Sequence, residues 1–382
     1  MPAAAVLAAL DEEPEVAVRN GMVVLPRLAR AAATRALLPP SGNWRLDAPE
    51  PGTLDALALV PVQDRPLEEG EVRVAVRAAG LNFRDLVVAL GMVPERGTPM
   101  GGEGAGVVSE VGPGVTGLAV GDRVMGLMDG AFGPSVITDH RLLAPIPDGW
   151  SYVDAASVAG VFATAWYGLA DLAKLQPGEK VLIHAAAGGV GMAAVQIARH
   201  LGAEVYGTAS PAKWPATGLD NDHLASSRTL DFADRFPQMD VVLNSLAGDF
   251  TDASLNLRKP HGRFIEMGKT DLRPDTPGYT AFDLDEAGPA RTAEILATLL
   301  GLFRTGALTP LPVRAWDLRR APEAFRHMQQ ARHVGKVVLT VPAPLDPDGT
   351  VLITGGTGGL GALTARPLAV ETPRADHRDR HS

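Results

Sequence analysis

Ala186, Gly188 and Gly191, in the run "HAAAGGVGMAAVQIARH", stand at the three spaced positions of the G-x-G-x-x-G fingerprint, with alanine in place of the first glycine. A strand-like run precedes them and a helical one follows, which is the context the fingerprint requires. Small residues let a pyrophosphate approach the backbone amides and the positive end of the helix dipole. Ala187, Gly188, Gly189, Val190 and Gly191 are therefore the expected phosphate cradle. A tight turn that only lets strand and helix pack closely is the plainer alternative.

The end of the next strand distinguishes the two nicotinamide dinucleotides. Folds that take NAD usually place a carboxylate about 20 residues beyond the first glycine, on the ribose hydroxyls. In this chain that region reads "YGTASPAK", with Thr208, Ser210 and Lys213 and no acid. A carboxylate would repel a 2′-phosphate, whereas a hydroxyl and an ammonium would hold it. NADPH is the cofactor inferred, with Ser210, Lys213 and Arg228 at its 2′-phosphate. A plain surface role for Lys213 and a structural one for Arg228 stand beside this reading. Asn244 and Gly268, at the ends of later strands, are expected by the nicotinamide half, with Lys336 nearby.

The elements that must position these residues follow from the apolar pattern. Before Ser151 short strand-like runs alternate with glycines and turns, notably from Gly91 to Gly133, which supports a barrel-like β domain. After Ser151 strands alternate with helical periods: "KVLIHAAA", "VGMAAVQIARHLGA", "EVYGTA", "DVVLNSL", "GRFIEMG". That order predicts a parallel doubly wound sheet. The segment "RAPEAFRHMQQARHVGKVVLTV" supplies a helix and a strand that return to the β domain, so the cofactor domain is an insertion. Near the start, Asn20-Gly21 between apolar runs predicts a hairpin.

Composition narrows the chemistry. The 382 residues are 46% hydrophobic and 21% charged, with no cysteine, nine dispersed histidines and a net charge of −9. Thiolate nucleophiles and sulfur-bound zinc are excluded, and a nucleic-acid partner is disfavoured because phosphate-backbone binding needs clustered Lys and Arg. No membrane span and no secretory leader are expected, which points to the cytoplasm. Zinc-dependent medium-chain dehydrogenases have a similar segment to "MGGEGAG", with His before the Glu. Here Gly102 holds that place and "AGLNFRDL" offers no Cys, so no three-ligand cradle forms. Without such polarisation, hydride addition to the β-carbon of an enoyl thioester is favoured over carbonyl reduction.

The strings "AGLNFRDL", "MGGEGAGVV", "HAAAGGVGMAAVQIARHLGAEVYGTASPAKW", "DVVLNSLAG", "GRFIEMGKTDLR", "AFDL" and "ARHVGKVVLTVP" are similar to the enoyl-reductase domains of modular type I polyketide synthases. The resemblance covers about Pro51 to Pro342, and more distantly extends to animal fatty acid synthase. It implies an α/β fold in the zinc-free medium-chain dehydrogenase/reductase superfamily: a GroES-like catalytic domain at 50–157 and 300–342, and an inserted Rossmann domain at 158–299. It implies ketoreductase pieces at both ends, a structural-half tail and linker at 1–49 and a truncated catalytic half at 343–370, with a disordered tail at 371–382. The second fingerprint "VLITGGTGGLG" lies in that piece, and the 21 residues beyond Gly361 cannot complete a site.

Several roles follow from the resemblance. Lys269 and Asp283 match the family's candidates for protonating the α-carbon or assisting it; a surface ion pair with water as the proton source is the alternative. Asn82 and Val93 are placed in the substrate pocket. Many relatives carry Tyr at the position of Val93, and valine has no hydroxyl to donate, so an α-methylated substrate is expected to give the 2R product; plain pocket lining fits equally. The implied partners are an acyl carrier protein presenting a phosphopantetheine-linked enoyl chain and the ketoreductase and dehydratase domains of the same synthase. Segments after Lys213, after Phe232 and between Lys269 and Asp283 are shorter than the family pattern. The competing functions are a free-standing zinc-free quinone or enone reductase and a catalytically silent structural segment.

Overall fold

The computed structural model describes residues 17–19, 22–24, 36–92, 99–342, 351–355, 358–359 and 361–363. The chain divides into two compact units, Met1–Ala36 and Leu37–Ser382. In the first, β1 (Ala17–Arg19) and β2 (Met22–Val24) pair antiparallel with Arg19 opposite Met22, the hairpin that Asn20-Gly21 predicts. The other residues of the expected ketoreductase pieces at 1–16, 25–35, 343–350 and 364–370, and the tail at 371–382, lie outside the described residues.

The second unit begins with a β-rich layer. It comprises β3 (Trp44–Asp47), β4 (Ala58–Pro61), β5 (Glu71–Leu81), β6 (Glu103–Val111), β7 (Arg123–Leu127), β8 (Ser135–Asp139) and β9 (Leu143–Pro145). In β5 the two-residue period sends Val72, Val74 and Val76 into the core and Glu71, Arg73 and Arg77 outward. β3 falls in the stretch the sequence assigns to a linker. It pairs with β4, and Trp44, Leu46 and Ala48 are buried against Met100, Phe132 and Phe325, because their alternate spacing makes one apolar edge.

The chain then builds a six-stranded sheet from β10 (Lys180–Ile183), β11 (Glu204–Ala209), β12 (Leu224–Ser226), β13 (Met239–Asn244), β14 (Arg258–Glu266) and β15 (Tyr279–Ala281). All pairs are parallel and the spatial order is β12-β11-β10-β13-β14-β15. The direction of winding reverses between β10 and β13, and a ligand crevice opens outside the strands' carboxyl ends at such a switch point. The helix Gly189–His200 covers this sheet with Ala193, Ala194, Ile197 and Ala198, the residues that three- and four-residue steps place on one face.

Finally β16 (Val313–Asp317) and β17 (Lys336–Thr340) rejoin the first layer in the order β16-β17-β5-β6-β7-β9, with β8 on β5. The parallel sheet is thus inserted between strands of the β-rich one, and the fold is the expected pairing of a GroES-like domain with a doubly wound cofactor domain. The helix Gly288–Arg304 joins them. Ile295 and Leu299 enter the core under the parallel sheet, while Leu296 and Leu300 pack with Ala78, Ala105 and Val338. The boundary expected at residue 300 falls inside this helix. Among the described residues the run Tyr152–Leu172 alone is long and apolar enough to cross a membrane. It is 61% buried, and Val161, Phe162, Ala165 and Leu169 give it a core-helix role.

Candidate functional site

After β10 the chain makes a turn and enters the helix Gly189–His200 with Gly188 as its first cap. The strained residue is Ala185, at φ +50°, one position before the alanine that replaces the fingerprint glycine. At Gly191 a Cβ would stand 2.2 Å from the Ala185 carbonyl oxygen, so only glycine lets helix and turn meet. The first-turn amides of this helix have no intrahelical partner, which fits a pyrophosphate. Behind the turn, buried His184 places Nδ1 2.8 Å from Thr208 Oγ1 and Nε2 2.8 Å from Ser254 Oγ. Ser254 donates its proton to Phe250 O, so it accepts from Nε2–H and Thr208 donates to Nδ1. Burial lowers the His184 pKa to about 3, which keeps this neutral tautomer. Thr208, one of the hydroxyls in the stretch without a carboxylate, is therefore committed to the core.

Ser210 and Lys213 follow β11 and remain partly exposed, and Arg228 is exposed beyond β12. Burial, then the charge of Arg228, lowers the Lys213 pKa. Neither cation forms an ion pair among the described residues. Two uncompensated positive groups drawn together fit a phosphate monoester. Lys213 Nζ donates to the carbonyl of His333, 2.6 Å away, on the segment that leads into β17.

At the far end of the turn stands a cluster that sequence reasoning did not assemble. The register Val337↔Leu81 sets Lys336 beside Asn82, and Ala79↔Gly104 sets Gly80 beside Glu103. Lys336 Nζ lies 2.6 Å from Glu103 Oε1, with side chains 3% and 1% exposed. Nζ also donates to Asn82 Oδ1 at 2.5 Å, Asn82 Nδ2 donates to Glu103 Oε1 at 2.9 Å, and the Gly160 amide donates to Oε2 at 2.7 Å. A Cβ on Gly80 or on Gly160 would come within 2.9 Å of the Glu103 carboxyl. Asn82, expected as a substrate-pocket residue, thus has its amide engaged by the ion pair. Its own backbone amide donates to buried Asp85, which also accepts from Gly101 N, both at 2.8 Å. Desolvation raises the Asp85 pKa to about 6.

At the carboxyl ends of the later strands, Asn244 closes β13 and donates through Nδ2 to Glu266 at 2.5 Å and to Leu246 O at 2.9 Å. The Gly268 amide donates to Glu266 at 2.6 Å, and burial raises that carboxyl's pKa. Asn244 and Gly268 therefore share one carboxylate that shapes the loops there. Lys269 and Asp283 meet: Nζ is 3.1 Å from Oδ2 and donates to Phe282 O at 2.6 Å, with both side chains about half exposed. Asp283 Oδ1 accepts from Leu284 N at 2.9 Å, which fixes the carboxylate. Asp129 and Asp285 sense Asp283, and desolvation raises the pKa of each; sequence reasoning named neither. Val93 lies outside the described residues.

Comparison with known proteins bears on this arrangement. The family described as alcohol dehydrogenase GroES-like domain matches residues 68–148, and that described as zinc-binding dehydrogenase matches 219–339. Polyketide synthase GfsB of Streptomyces halstedii is 59% identical over 388 residues, 94% of this chain and 7% of that protein. The crystal structure of the CurK enoyl reductase is 40% identical with a TM-score of 0.73, covering 78% of this chain and 99% of that one. The chain belongs to the enoyl reductases of type I polyketide synthases. As an enoyl reductase it is an oxidoreductase acting on a carbon–carbon double bond with a nicotinamide cofactor. A mycobacterial protein, Rv1454c, solved in complex with NADPH, is 26% identical with a TM-score of 0.71, covering 78% of this chain and 100% of that one. The chain spans 7% and 18% of the length of the first two curated relatives.

Zinc does not fit the residues of this enoyl reductase. No group of three His, Cys, Asp or Glu among the described residues is arranged to hold a metal ion. Glu103, where such an ion would be sought, already carries the Lys336 ammonium, and a divalent cation would have to displace a like charge. Gly102 leaves open space where a second ligand would project.

Proposed function

We propose that this enoyl reductase uses NADPH to saturate the α,β double bond of a thioester carried on the phosphopantetheine arm of an acyl carrier protein, within a cytoplasmic synthase that also carries ketoreductase and dehydratase domains. The observation that carries the reading is the Lys269–Asp283 pair on the same strand-end side of the sheet as the dinucleotide turn. Bound NADPH supplies the hydride that goes to the β-carbon. Gly188 to Gly191 bind its pyrophosphate, and Ser210, Lys213 and Arg228 bind its 2′-phosphate. Negative charge that gathers on the thioester oxygen is met by the Lys269 ammonium. Lys269 then delivers a proton from Nζ to the α-carbon, and Asp283, 3.1 Å away, holds the amine in place. Matched hydride and proton leave a saturated thioester.

The test is NADPH oxidation with 2-methyl-2-enoyl and unbranched enoyl pantetheine thioesters, followed by chiral analysis of the products, with a simple quinone in parallel. Thioester turnover well above quinone turnover is expected. Removal of Lys269 as Lys269→Met should lower kcat about 10²-fold or more, the usual range for a general acid, with little change in NADPH affinity. A folded, NADPH-binding protein that reduces the quinone and not the thioester would refute the substrate class. Unchanged kcat in Lys269→Met would leave water as the proton source.

A further inference from the structure

The segment His333–Lys336 runs from the outer end of the cofactor crevice to the buried cluster, touching three stations within four residues. The His333 carbonyl accepts from Lys213 Nζ at 2.6 Å. Gly335 donates its amide to Ala187 O at 3.0 Å, and a parallel bridge joins Gly335 to Gly188 in the phosphate turn. Lys336 then enters the ion pair with Glu103. Little slack exists between these points. Gly335 holds φ at +66°, and a Cβ there would stand 2.2 Å from Pro312 O, so the backbone is confined to a glycine conformation against a fixed wall. The Lys336 amide donates to that same Pro312 oxygen at 2.9 Å. Burial, then the charges of Lys213, His327 and Lys336, lowers the His333 pKa to about 4, and its Nδ1 is buried without a hydrogen-bond partner.

An ammonium has three protons, so Lys213 can keep the His333 carbonyl while donating to a phosphate. Fixing Lys213 on an anion therefore fixes the strap, and the strap ends in the residue that sets Asn82 and Glu103. We propose that His333–Lys336 is a positioning strap through which recognition of the adenosine 2′-phosphate tightens the Lys336–Glu103–Asn82 cluster at the hydride end of the site. The proposal rests on the NADPH reading above. Such coupling is reciprocal: if the 2′-phosphate tightens the strap, loosening the strap must weaken the preference for the 2′-phosphate.

Two measurements on the intact chain test it. Hydrogen exchange of the Gly335 and Lys336 amides is compared with NADPH and with NADH at equal fractional occupancy. NADPH should slow exchange at least about fivefold more than NADH, the lower edge of ordinary coupling between sites, and Lys213→Met should remove the difference. Fluorescence titration then gives Kd for both dinucleotides in Asn82→Ala and in the charge-balanced Lys336→Met/Glu103→Gln protein. The ratio of Kd for NADH to Kd for NADPH should fall in both variants, although neither altered site faces the 2′-phosphate. A wild-type preference for NADPH with equal exchange and an unchanged ratio in the variants overturns the strap and leaves the cofactor reading standing. Absence of any preference for NADPH in the wild type overturns the cofactor reading and the strap with it.

Discussion

Lys336→Met offers a direct measure of how the buried cluster is held. The substitution keeps most of the side-chain volume and removes the ammonium, leaving Glu103, 1% exposed, with hydrogen bonds from Asn82 Nδ2 at 2.9 Å and Gly160 N at 2.7 Å. Breaking a buried pair from one side costs about 3–5 kcal/mol, chiefly because the remaining charge has lost its water and its partner. The two surviving donors argue for the lower end, about 3 kcal/mol. At about 2–4 °C per kcal/mol for domains of comparable size, the melting temperature should fall by roughly 6–12 °C. Lys336→Met/Glu103→Gln removes both charges and should recover at least about 2 kcal/mol of that loss. Chemical denaturation of wild type, both single variants and the double variant completes the cycle. A single variant that loses less than about 1 kcal/mol, or a double variant no better than the single, would mean that the pair is screened as a surface pair is.

Further outcomes follow from individual contacts. Burial raises the Asp85 pKa from 3.8 to about 6, so the unfolded chain releases this proton first. The contribution is full below about pH 4 and falls as pH rises through 6, by about 3 kcal/mol in all, and urea midpoints across that range should be flatter with pH in Asp85→Asn than in wild type. Gly191→Ala drives a Cβ to 2.2 Å from a backbone oxygen and should cost about 1–3 kcal/mol and weaken NADPH binding. Gly301→Ala, with open space in the helix Gly288–Arg304, should instead stabilise by up to about 1 kcal/mol, and opposite melting shifts would check both. Lys213→Met should raise Kd for NADPH about 10- to 100-fold, the worth of a charged hydrogen bond, and leave NADH nearly unchanged in a fluorescence titration. Equal losses for both dinucleotides would place Lys213 away from the 2′-phosphate.

What the sequence disclosed was local. The glycine turn between β10 and the helix Gly189–His200 was legible because its glycine spacing, preceding strand and following helix all fall within about one βαβ unit. The parallel, doubly wound character of the second sheet followed from the alternation of strand and helix periods, because right-handed crossovers leave few ways to lay them down. Thr208 and Ser210 were both legible as hydroxyls in the stretch that lacks a carboxylate, but only the pairing of β11 shows that the Thr208 hydroxyl turns back to His184. The strand at Trp44–Asp47 went unread within the stretch taken as tail and linker because a short alternating run reads as strand only once β4 is there to pair with it. Lys269 and Asp283 were named from likeness, and their meeting rests on a loop and a capping contact that no periodicity reports.

The Lys336 cluster escaped for a different reason. Lys336 and Asn82 are 254 positions apart, and each sits in an apolar run where a lone polar residue has many bland explanations. Their meeting depends on the strand register of β17 on β5, fixed only after the whole cofactor sheet has been inserted and the chain has returned. The local signal that was present is steric. Gly80 and Gly160 make room for a carboxyl group that no Cβ could approach, and a glycine beside a buried acid points to a close neighbour. The insertion therefore does more than supply a cofactor shelf: Gly160, on the way into it, and Lys336, on the way out, both grip Glu103, so the carboxylate reports whether the two halves of the crevice are in register.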